Sequence, residues 1–198
     1  MTLFELILVQ MPASAYQHVV VVMSIVLGLA VTQLLKGIAQ LYRTRARVRP
    51  YWIHSAWVGL LLVFSLLLWW TFWSYRGITE WTFLRFVLYL SPVIALYYLT
   101  VIIIPDPAES VTDLKEYYFA NRGALFGTFA VCGVLTSATA VIVRGLPLTD
   151  ASNLFRLALV LLLLVLLRSR SARVHTVALI VCTVLLVLFI FLYHQRLG

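Results

Sequence analysis

Long apolar runs, broken by short polar connections that carry most of the arginines, make up nearly the whole chain. A helix needs about 20 mostly apolar residues to cross roughly 30 Å of hydrocarbon, because each residue rises only ~1.5 Å. Six segments meet that test, over about 16–42, 50–75, 81–104, 123–143, 151–167 and 173–193. The third is stopped by Pro105-Asp106-Pro107, where a helix cannot continue. The fifth is the shortest, with eleven uncharged residues between Arg156 and Arg168, so Arg156 must snorkel outward or face a wet interior. Two further pieces flank this pattern. Leu3, Phe4, Leu6 and Ile7 around Glu5, closed by Pro12, predict a short amphipathic segment on the membrane face. With no Lys or Arg before Lys36, this start lacks the basic end of a signal peptide. Residues 112–122, with Thr112 or Asp113 as a cap and Leu114, Tyr117 and Tyr118 as an apolar edge, predict an interfacial helix leading into the fourth span. The expected fold is all-α, one integral membrane bundle of six helices over residues 1–198.

Composition agrees, with 63% hydrophobic and only 11% charged residues, against about 25% charged in a soluble domain. The net charge of +8 raises the question of nucleic acid. Its arginines cluster between apolar segments, which is the pattern of the positive-inside rule and not of a phosphate-binding surface. Nine Lys and Arg residues fall in loops one, three and five (Arg43, Arg45, Arg47, Arg49, Lys115, Arg122, Arg168, Arg170, Arg173). Five fall on the opposite face (Arg76, Arg85, Arg144, Arg156, Arg196). The excess predicts loops one, three and five cytoplasmic and both termini on the opposite side, which in a bacterial inner membrane is periplasmic. Cys132 and Cys182 lie in apolar segments without CxxC spacing and are expected as small buried hydrophobes.

Helices associate in lipid through close backbone approach, so small residues four apart mark interfaces. Ser24, Gly28 and Thr32 form such a series in helix one, and Gly123, Gly127, Gly133 and Ser137 in helix four, which predicts that these two form the packed centre. Gln33, Lys36 and Gln40 share one helical face and predict a polar interior. Ser91-Pro92 in mid-span, with Tyr97 nearby, predicts a kink in helix three. Pro92 deprives the Leu88 carbonyl of its donor, so that oxygen must find a partner inside the protein or a water. A polar path between helices one, three and four would suit a small transporter, a channel or a membrane-embedded sensor. Six helices make a thin bundle, which favours a homo-oligomer in contact with membrane lipid.

Chemistry-bearing side chains gather at the cytoplasmic face: His54, His175, Asp113, Glu116, Tyr117, Asn121 and Arg122. Acidic loop three is expected to pair with basic loops one and five. No Ser-His-Asp order, HExxH or phosphate loop is present, so no catalytic residue and no metal ligand set is assigned. Haem between His54 and His175 is the cofactor alternative. The same face could dock a soluble protein, making the chain a scaffold or accessory subunit, or could act on a lipid-linked substrate.

Ser24-Ile25-Val26-Leu27-Gly28-Leu29-Ala30, Tyr51-Trp52-Ile53-His54 and Asp113-Leu114-Lys115-Glu116-Tyr117-Tyr118-Phe119-Ala120-Asn121-Arg122 together resemble a family of small multi-span inner-membrane proteins of unknown function from proteobacteria. The resemblance implies a bacterial inner membrane and draws attention to His54, Tyr117, Asn121 and Arg122. It implies no activity.

Overall fold

The computed structural model describes residues 3–105 and 112–193, with side chains over 15–105 and 113–192. The side chains of Leu3 to Ile7 and of Pro12, and residues Asp106, Glu109, His194 and Arg196, lie outside that description. Six helices form: α1 (Leu3–Arg43), α2 (Trp52–Phe72), α3 (Phe83–Ile103), α4 (Leu114–Ile142), α5 (Ala151–Arg168) and α6 (Ala172–Tyr193). Each contains a stretch long and apolar enough to cross a membrane, so the chain is an all-α bundle of the polytopic membrane kind. Where the amphipathic N-terminal segment is expected, the backbone is helical and continuous with the first span. The interfacial stretch before the fourth span likewise forms the opening turns of α4.

Local chemistry sets the helix ends. Thr82 caps α3 by accepting from the Arg85 amide, and Asp113 caps α4 by accepting from the amides of Lys115 and Glu116 at 2.8 and 3.1 Å. Asp150 caps α5, and the Ser152 hydroxyl and amide hold its carboxyl below the usual carboxylate range. The lowered value means that this cap is intact at neutral pH and is lost as pH falls through it. Loops one and three are joined by backbone: Val48–Arg49 (β1) pairs in parallel with Thr112–Asp113 (β2). That pairing replaces the ion pairs expected there. Among the described residues none joins loop three to loops one or five, and the Arg85–Glu80 ion pair, at 4.0 Å, lies at the other end of the bundle.

α4 is the hub, packed along α3 on one side and α5 on the other, while α1 lies on the far side of α3. α2 crosses this row, touching α1, α3 and α4, and α6 closes against α2 and α5. The expectation of a centre made by helices one and four therefore holds for α4 alone. α1 buries Val19, Met23, Leu27, Ala30, Leu34 and Gly37, spaced three and four apart, and this seam rotates Gly28 and Thr32 to the outer surface. The small residue that brings α1 close to its neighbour is Gly37, where an added Cβ would lie 2.5 Å from Ile104 Cγ2.

Pro92 sits buried in α3, and the Leu88 carbonyl it releases has found two protein partners. Ser91 Oγ donates to it at 2.8 Å, and Thr139 Oγ1 lies at 2.8 Å with its one proton shared between this oxygen and the Leu135 carbonyl at 2.7 Å. Cys132 Sγ donates to the Pro92 carbonyl at 3.3 Å, so the proline segment is stitched to α4 without a gap. Losing both hydroxyls, as in Ser91→Ala/Thr139→Val, is expected to destabilise the bundle by about 1–2 kcal/mol. Pro92→Ala, which restores the amide donor, should abolish most of that penalty. Thermal denaturation of the four variants in detergent reads both effects, and equal penalties in the two backgrounds would refute the capping role.

Candidate functional site

The helix ends near loops one, three and five form the polar centre of the molecule. α3 stops before Pro105, leaving its last carbonyls without helical donors. Two side chains from other helices supply them. His54 Nε2–H donates to the Ile103 carbonyl at 2.7 Å, and the Tyr117 hydroxyl donates to Ile102 at 2.7 Å. Since a carbonyl only accepts, the proton of His54 sits on Nε2 and Nδ1 is left as a buried acceptor without a partner.

His175, fully buried, is held on both sides. Its Nε2–H donates to Ser169 in the α5–α6 connection at 3.1 Å, so Nδ1 accepts from the Tyr118 hydroxyl at 2.7 Å. Aromatic rings enclose this pair, with Phe126 and Phe119 at centroid distances of 5.4 and 5.2 Å from the imidazole and Tyr51 edge-on to Tyr118 at 5.7 Å. Trp57 packs on Phe126 at 5.1 Å, and its indole N–H, beside Tyr118, makes no well-formed hydrogen bond.

Of the cytoplasmic-face residues expected together, His54, Tyr117 and His175 are brought into one cluster spanning α2, α3, α4 and α6. Asn121 and Arg122 stand on its flank, bonded to their own helix through the carbonyls of Tyr117 and Phe119. Asp113 and Glu116 lie outside it, around an open hollow with Lys115, Arg122 and Arg170. The decisive partners missed by sequence reasoning are Tyr118, Trp57 and the Ser169 carbonyl. Tyr118 had a signal, since it follows Tyr117 at the depth of His175, but its hydroxyl direction depends on how α4 is rotated. Haem ligation by both histidines would require His54 Nε2 or Nδ1 to turn to the iron and His175 to give up Tyr118 or Ser169. Among the described residues no three of His, Cys, Asp and Glu gather at metal-binding distance.

The residues expected to line a polar interior do not meet. Ser91 and Pro92 face α4, whereas Lys36, Gln40 and Tyr97 stand on the outer surface and Gln33 is half-buried at its margin. The reason is the seam of α1 described above, which takes up the face on which a path would have to open. Instead Gly28, Thr32, Lys36 and Gln40, four residues apart, are exposed on the outer side of α1, with Ser24 half-buried one turn before them. Gly28 has open space where a Cβ would project. Comparison of the chain with protein families, with curated proteins and with solved structures finds no match.

Proposed function

We propose that the protein is a subunit of a larger membrane assembly, and that the outer face of α1 receives a transmembrane helix of another protein. The observation carrying this reading is the exposed stripe from Gly28 to Gln40, which combines close-approach residues with a lysine and a glutamine on a surface that otherwise meets lipid. Facing lipid, the lysine costs a few kcal/mol unless it snorkels to the headgroups. A neighbouring helix with small residues opposite Gly28 and Thr32, and a carboxylate opposite Lys36, satisfies every position. A second copy packed about a two-fold axis fits less well, since it sets Lys36 against Lys36, and none of the seven Asp and Glu residues lies between 15 and 43.

The polar interior of a transporter or sensor would on this reading be completed between subunits, with Gln33, Lys36 and Gln40 lining the joint. The arginine-rich end faces the cytoplasm of a bacterial inner membrane, following the charge excess. A soluble partner at that end keeps one supporting observation, the exposed row Arg43, Arg45, Arg47 and Arg49 held in place by the β1–β2 pairing.

Recovery of a tagged chain from native membranes in mild detergent tests the proposal. The natural protein is expected to bring down a second membrane protein, and Gly28→Leu or Lys36→Leu should reduce that recovery by tenfold or more, on the order of 1.4 kcal/mol. Neither change should shift the thermal midpoint of the chain itself. A particle of monomer mass, or a complex indifferent to both changes, would overturn the reading. A complex containing only this chain would replace the foreign helix by a second copy.

A further inference from the structure

A cleft of about 80 Å³ opens between α2, α4, α5 and α6, away from the stripe on α1. Along α2 its wall runs from Trp57 to Thr71, roughly 21 Å of helix, which exceeds the hydrocarbon depth of one leaflet. Phe64, Phe129, Leu163 and Leu186 are among the other apolar side chains that line it. The two hydroxyls on the wall do not make it polar. Thr71 and Thr136 donate to carbonyls of their own helices, Leu68 at 2.7 Å and Cys132 at 2.8 Å. Among the described residues no carboxylate lines the cleft.

At one end stands a cation. Arg156, early in α5, lies over the Phe189 ring at 5.7 Å and donates to Asn153 Oδ1 at 2.7 Å, and Arg144 lies at the same end over the Tyr75 ring at 5.5 Å. The Asp150 carboxylate stands near enough to Arg156 to feel its charge, so two arginines against one carboxylate leave this end of the apolar slot positive, and that combination matches one chemical class. We propose that the cleft seats part of an acyl chain of an anionic phospholipid, with the headgroup phosphate against Arg156. A zwitterionic lipid carries its own cation beside the phosphate and so gains less from the arginines, and a water-soluble anion would leave the apolar wall bare.

Trp57, at the deep end, provides the reporter. In a chain carrying Trp52→Phe, Trp69→Phe, Trp70→Phe, Trp73→Phe and Trp81→Phe, its fluorescence is measured in bilayers containing phosphatidylglycerol or phosphatidylcholine with brominated chains. Quenching by the brominated phosphatidylglycerol is expected to be about fivefold stronger at equal mole fraction, the factor set by one cation near an anionic headgroup. Arg156→Gln should bring the two lipids to equality. Equal quenching in the parent chain, or a preference that Arg156→Gln leaves intact, would overturn the proposal. Should the five substitutions prevent folding, native mass spectrometry of the natural chain after delipidation makes the same comparison. Retention of phosphatidylglycerol that falls in Arg156→Gln supports the site, and retention independent of headgroup or of Arg156 rejects it.

Discussion

Gly133→Leu is expected to prevent the bundle from forming, whereas Gly28→Leu should leave the fold untouched. The two glycines sit in similar sequence surroundings, but their spaces differ. A Cβ added at Gly133 would lie 2.7 Å from Val160 Cγ2, inside the distance that real contacts tolerate. Val160 is buried and β-branched, so its methyl cannot swing aside as the tip of a long side chain would. Relief must come from moving α5 off α4, which opens one of the two main seams of the hub. Overpacking usually costs about 1–3 kcal/mol, and a leucine at such a contact belongs at or beyond the upper end. Gly37→Leu should behave in the same way, since the Ile104 side chain lies 2.5–2.9 Å from the corresponding Cβ. The check is the monodisperse fraction and thermal midpoint of each variant in detergent. A Gly133→Leu protein as stable as the natural one would mean that α4 and α5 are not packed this closely.

His175→Ala is the second large effect, with an expected loss of about 3 kcal/mol. The substitution removes the acceptor of the Tyr118 hydroxyl and the donor to the Ser169 carbonyl, and leaves a cavity ringed by Phe119 and Phe126. Tyr118→Phe takes away one hydroxyl and strands His175 Nδ1, an expected loss of about 1–2 kcal/mol. Because both changes break the same bond, the double variant should lose clearly less than the two single losses together. Thermal or denaturant unfolding in one detergent supplies all four corners of that cycle. Strict additivity would show that the bond contributes nothing to stability.

Hydropathy and proline placement made the six helices legible, because bilayer thickness imposes a length on every span whatever its neighbours. Asp113 as the cap of α4 and the orphaned carbonyl of Leu88 were legible for a related reason, since both follow from backbone donors and acceptors within one or two turns. Helix order in space was not. Ser24, Gly28 and Thr32 announce an interface but not with whom, and the same three residues serve equally for a contact inside the chain or beyond it. The histidine cluster was half legible: depth placed His54 and His175 at one end, while Tyr118 and the Ser169 carbonyl depended on helix rotations and a loop path that no local pattern encodes. The β1–β2 pairing was invisible for a simpler reason, as two residues on each side are too few to show any periodicity.

That short pairing has a mechanical result. It ties the arginine loop to the residue that caps α4, so a tug on Arg43–Arg49 travels through covalent chain and backbone hydrogen bonds into the hub helix. A load on the loop arrives at the hub as torque, and the loop serves as a handle.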